Sequence, residues 1–76
     1  MAVYLRLDKM SDDGRSVTSS FTNGENTTRT LVFDREQERL WPEDGNEDAM
    51  FETAAITVVR AWRKGGDMPA RLLFQA

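Results

Sequence analysis

The stretch Thr30-Leu31-Val32-Phe33-Asp34-Arg35-Glu36-Gln37-Glu38-Arg39-Leu40-Trp41 decides how the chain folds. It reads as two short strands, Thr30 to Asp34 and Arg39 to Trp41, joined by a four-residue loop. In this register Asp34 stands opposite Arg39, Phe33 opposite Leu40 and Val32 opposite Trp41. Leu31, Phe33 and Leu40 then share one face, and opposite charges meet at the turn. A slip of one residue would carry Trp41 to the core face. The chosen register leaves Trp41 and Val32 on the other side of the sheet.

Upstream, Val3 to Asp8 alternates Val3, Leu5 and Leu7 against Tyr4, Arg6 and Asp8, the period of a half-buried strand. The cluster Ser11-Asp12-Asp13-Gly14 is a turn. Ser16 to Thr22 follows as a second strand, with Val17, Ser19 and Phe21 on one face. Asn23-Gly24-Glu25-Asn26 makes the next turn, because Asn-Gly readily supplies positive φ.

Downstream, Phe51, Ala54, Ala55, Val58 and Trp62 recur at three- and four-residue spacing, predicting a helix over about 47–64. Asn46 is the expected N-cap, with Glu47 and Asp48 in the first turn. Arg60, Arg63 and Lys64 crowd the last turn before Gly65-Gly66, so charge complements the macrodipole at both ends. Met50, Val59 and Ala61 flank the buried stripe, whereas Ile56 falls opposite it. After Asp67-Met68-Pro69, Ala70 to Gln75 reads as a last strand with Leu72 and Phe74 facing in. The expected architecture is a single α+β domain over residues 1–76. It is an antiparallel meander of four strands, one helix on one face, and a C-terminal strand beside the first in the order 5-1-2-3-4. A parallel placement beside the fourth strand is the competing topology.

Composition bounds the chemistry. The 76 residues contain no cysteine and no histidine, so disulfides, thiolate nucleophiles, imidazole bases and ordinary zinc sites are missing from the monomer. Asp44-Gly45-Asn46-Glu47-Asp48 matches the opening of an EF-hand loop. Ala49 and Ala55 then replace the required glycine and bidentate glutamate, so it reads as an acidic turn feeding the helix. The carboxylate pairs Asp12-Asp13 and Glu36/Glu38 lie in turns, where water keeps carboxylates near their ordinary pKa. The serines and threonines have no base beside them to activate one. The chain is therefore read as non-catalytic, with no cofactor and no metal.

The N-terminus lacks a basic leader followed by an apolar run, and no segment has the length of a membrane span, which predicts a cytoplasmic protein. A net charge of −3 argues against a broad electrostatic grip on nucleic acid. All cations but Lys9 and Lys64 are arginine, a bias read as the signature of a G+C-rich genome.

One helix covers one sheet face, so the other must be solvated or meet a partner. Tyr4, Arg6, Val32, Arg39 and Trp41 are the expected interaction surface, because aromatics beside arginine are enriched at interface hot spots. The expected partner is another protein or a second copy of the chain. The alternative is single-stranded nucleic acid, stacked on Tyr4 and Trp41 among Arg6, Arg29 and Arg39.

Glu36-Gln37-Glu38-Arg39-Leu40-Trp41-Pro42 resembles the E-E-Q-x-S-L-W-P hairpin of the MbtH-like proteins, small partners of adenylation domains in nonribosomal peptide synthesis. Trp62 is loosely similar to the tryptophan on the helix that follows there. The likeness covers seven residues. Arg39 replaces the family's serine, the proline-glycine-tryptophan strand is missing, two extra strands precede the hairpin, and the spacing to Trp62 is too short for the family's third strand. No site residue is carried over. The resemblance implies only that such a hairpin tryptophan can serve a partner protein.

Overall fold

The computed structural model describes residues 4–24 and 27–75. Its elements run β1 (Tyr4–Asp12), β2 (Ser16–Thr22), β3 (Thr28–Asp34), β4 (Arg39–Pro42), α1 (Ala49–Gly65) and β5 (Arg71–Gln75). The strands form one antiparallel sheet in the order β4-β3-β2-β1-β5. This is the expected α+β meander, with the last strand beside the first. The parallel placement beside β4 does not occur. Val3 and the turn residues Glu25 and Asn26, all used in the sequence reading, lie outside the described residues.

The deciding hairpin has the expected register, Val32 opposite Trp41, Phe33 opposite Leu40 and Asp34 opposite Arg39. Its turn is held by Asp34, whose Oδ1 accepts the backbone N–H groups of Glu36 (2.9 Å) and Gln37 (3.1 Å). Glu38 closes the loop at φ +54°, a left-handed conformation that a non-glycine residue adopts at a cost. The charge pairing at the turn differs from expectation. Asp34 pairs with Arg15 of the neighbouring hairpin at 3.3 Å, and Arg39 makes no ion pair among the described residues.

β1 is longer than its alternation suggested, running to Asp12 instead of Asp8. A register shift between Lys9 and Ser11 inserts Met10 as an extra residue, after which Ser11 pairs with Thr18 and Asp12 with Val17. The bulge breaks the apolar–polar period, which is why the pattern ended early. The turn itself is tightened by Asp13 Oδ1, which accepts from the backbone of Arg15 and Ser16.

The helix begins later than expected. Asp48, not Asn46, is the N-cap, and its Oδ1 accepts from Phe51 N at 2.9 Å. Glu47 and Asp48 therefore precede the first turn, and α1 spans 49–65 instead of 47–64. Gly66 in the left-handed region (φ 77°) ends it, donating to Trp62 O at 2.7 Å.

The core lies between α1 and one sheet face, formed by Leu5, Leu7, Val17, Phe21, Leu31 and Phe33 against Phe51, Ala54 and Val58. Trp62 is half-buried, with its ring edge-on to Phe33 at 5.4 Å between centroids. Two members were not anticipated. Thr57 is buried, and its hydroxyl donates back to Thr53 O at 2.8 Å. Met68, from the connector after the helix, inserts fully, and the buried Ser19 hydroxyl donates to its sulfur at 3.5 Å. A thioether fits here because it fills an irregular gap while still accepting a weak hydrogen bond.

Candidate functional site

The sheet face turned away from α1 is built by the strand period. β2 contributes Ser16, Thr18, Ser20 and Thr22, and β3 contributes Thr28, Thr30 and Val32. Trp41 sits beside Val32, which in turn faces Thr18, so one apolar row crosses β4 and β3 and ends in threonine. Trp41 is 41% exposed and Val32 half-buried. Arg39, exposed and two residues along β4, completes this corner.

The five expected surface residues do not form one cluster. Tyr4 and Arg6 lie on β1, three strands from Trp41 and respectively seven and five residues from Ser11, the β1 residue in its row. At ~3.3 Å per residue and ~4.8 Å per strand, Tyr4 and Trp41 are more than ~20 Å apart. Hydroxyl-bearing residues separate them. Tyr4 also belongs to the rim more than to the face. A Cβ at Gly24 would lie 3.8 Å from its ring carbons, and Tyr4 shares a shallow depression with Asn23, Ala49, Met50 and Thr53 at the start of α1.

Charge on this face is largely consumed internally. Arg6 Nε lies 3.0 Å from Asp8 Oδ2, and Arg71 Nε lies 2.8 Å from Asp8 Oδ1. The bond from Arg71, reinforced by Arg6, holds the Asp8 carboxyl below its ordinary range. The fifth strand adds Leu73 beside Arg6, 57% exposed.

Arg29, included in the nucleic-acid reading, is not on this face at all. It shares parity with Leu31 and Phe33, and its guanidinium lies over the Phe21 ring at 5.0 Å. From there it forks onto Asp44 (Nε to Oδ2 2.9 Å, Nη2 to Oδ1 3.1 Å), Asp48 (2.7 Å) and the Asn46 carbonyl (2.6 Å). The acidic turn is thus wrapped around a guanidinium, which also offsets placing a cation near a helix N-terminus. Arg29 lowers the Asp44 pKa; the Phe51 N–H and then Arg29 lower that of Asp48.

A second guanidinium works the same way at the other end. Arg35 grips Asp12 with two bonds (2.6 and 2.7 Å) and Asp67 with a third (2.7 Å), tying the β3–β4 loop to the end of β1 and to the connector after α1. Both carboxyls are held below their ordinary pKa, chiefly by Arg35. Arg29 and Arg35 therefore have structural tasks that lysine's single ammonium would not reproduce. Reading the arginine bias mainly as base composition, with selected guanidinium function as the lesser alternative, understates them.

Among the described residues, no group of three acidic, histidine or cysteine side chains is placed to hold a metal ion. No helix there is long and apolar enough to cross a membrane. No protein-family model, curated protein or solved structure matches the chain.

Proposed function

We propose that this domain is a small non-catalytic binding module that engages a partner protein through the sheet face opposite α1, with Trp41 as anchor. The observation that carries this reading is the corner formed by Trp41, Val32 and Arg39. A large aromatic stands substantially exposed beside a β-branched residue, next to an arginine without an ion pair among the described residues. Such a group offers the aromatic and guanidinium contacts that dominate interface energies, and Arg39 is open to a carboxylate or carbonyl on the partner that would offset its desolvation. Tyr4 and Arg6, at the far end, are secondary contacts for a large partner.

The nucleic-acid reading is less well supported. Arg29 faces the helix side, and Arg6 and Arg71 share the Asp8 carboxylate, leaving little free positive charge to follow a phosphate chain.

Affinity capture from host lysate tests the proposal with three baits, wild type, Trp41→Ala and Ile56→Ala. Ile56 is 51% exposed on the outer side of the helix and serves as the matched control. The proposal expects a protein retained by wild type and Ile56→Ala, lost by Trp41→Ala, and only weakly sensitive to salt. Equal recovery by all three baits would remove its basis. Recovery of nucleic acid that falls steeply between low and moderate salt would favour the alternative.

A further inference from the structure

The two edges of the sheet are not equivalent. β4 is only four residues long and ends in Pro42, which has no N–H to offer, both devices that discourage edge pairing. β5 is one residue longer and carries no proline. Its sequence Arg71-Leu72-Leu73-Phe74-Gln75 contains no lysine, and one charge at its end.

The hydrogen-bond phase of this edge follows from one bond. Lys9 N donates to Ala70 O at 2.8 Å, and these residues stand directly opposite in the β1–β5 register. In an antiparallel ladder, bonded and non-bonded pairs alternate. Leu72 and Phe74 therefore direct their backbone groups to β1, while Arg71, Leu73 and Gln75 direct theirs to the free edge.

We infer that β5 pairs antiparallel with β5 of a second copy of this chain, about a two-fold axis at Leu73. In that register Leu73 bonds its own counterpart, and Arg71 bonds Gln75 of the other copy, so every outward backbone group in the strand is satisfied. Shifting the axis to Leu72 or Phe74 leaves one end of the strand unpaired. The side chains agree with the central register. Arg71 meets a neutral amide instead of another cation, and Leu72 meets Phe74 of the other copy in a close non-bonded pair on the helix side. Both are half-buried residues lining an open groove between β5 and α1, whose helix wall is Thr57, Arg60, Ala61 and Lys64. The second copy fills that groove, and the two sheets become continuous. Arg60 and Lys64 of both copies stand near the axis, so added salt should tighten the association.

The contact is small, so sedimentation equilibrium is run from ~10 μM to ~1 mM. Wild type should be a concentration-dependent dimer. Leu73→Lys should be monomeric through the same range, by like-charge opposition at the axis. Leu73→Pro should behave likewise, and because the Leu73 N–H points outward it breaks no bond to β1. Helical circular dichroism of both variants should match wild type. An equimolar mixture of Leu73→Lys and Leu73→Glu should restore the dimer, which a merely unfolded variant cannot do. Trp41→Ala should dimerise like wild type, separating this edge from the partner face. A wild-type monomer at every concentration, or dimers of Leu73→Lys as tight as wild type's, would overturn the inference.

Discussion

The two faces of the sheet are made from the same strands and hold opposite kinds of residue. Toward α1, Leu5, Leu7, Val17, Phe21, Leu31 and Phe33 are each exposed by 2% or less. Away from it, the alternate positions of β2 and β3 are mostly serine and threonine, with Trp41 and Val32 together at the β3–β4 corner. The contrast teaches that burial and exposure were assigned strand by strand through the two-residue period, so an aromatic on the open side is not a core residue that missed its place. The covered face should govern stability, and the open corner should govern binding.

Phe33→Ala should break the covered face most severely. It removes a buried ring and its contact with Trp62, costing about 3–5 kcal/mol, a large share of what so small a domain possesses. Urea unfolding followed by circular dichroism checks this. Met68→Ala should cost about 2–4 kcal/mol in the same assay, because it opens a cavity and leaves the Ser19 hydroxyl without its acceptor.

Acid should act on the clamps that hold the loops around the core. Asp12, Asp44, Asp48 and Asp67 have folded-state pKa values below their unfolded ones. Their contribution is complete above the unfolded value of ~3.9 and disappears as pH falls through the lower folded values. The thermal midpoint should be nearly level from neutral pH down to ~5 and fall steeply below ~4. Added salt should lower the plateau modestly as well, because the carboxylates of these ion pairs keep contact with solvent while Arg29 and Arg35 are largely covered.

On the open side, Trp41→Ala should cost less than about 1 kcal/mol, the scale of one cross-strand pair with Val32. A loss comparable to that of Phe33→Ala would erase the distinction between the faces. The smallest expected effect is a gain. Glu38→Gly relieves the left-handed backbone at the hairpin loop and should stabilise by under about 1 kcal/mol, since glycine's extra entropy offsets part of the relief.

Most of the architecture was legible because it is local. The alternation of Thr30–Asp34 and Arg39–Trp41 fixed the register, and the stripe from Phe51 to Trp62 located the helix. What escaped depends on partners distant in sequence. Met68 became core only because the connector folds back onto Ser19, and no period marks a single inserted side chain. The Met10 bulge interrupts the very alternation by which strands are read. Arg29 could have been placed, since it continues the inward parity of Leu31 and Phe33 once the strand is extended to Thr28. An arginine there needs acidic company, and Asp44 and Asp48 supply it. Of the expected site, the hairpin corner holds together because Val32, Arg39 and Trp41 are cross-strand or near neighbours. Tyr4 and Arg6 share its parity, but parity says nothing about distance along a strand, and they lie at the other end.

The claim that the open corner is a working surface is tested most directly by photo-crosslinking in the native host. A benzophenone-bearing amino acid is placed at position 41 in one variant and at position 56 in another. The account predicts a discrete protein adduct from position 41 and none from position 56. Adducts from position 56 alone, or from neither position, would contradict it.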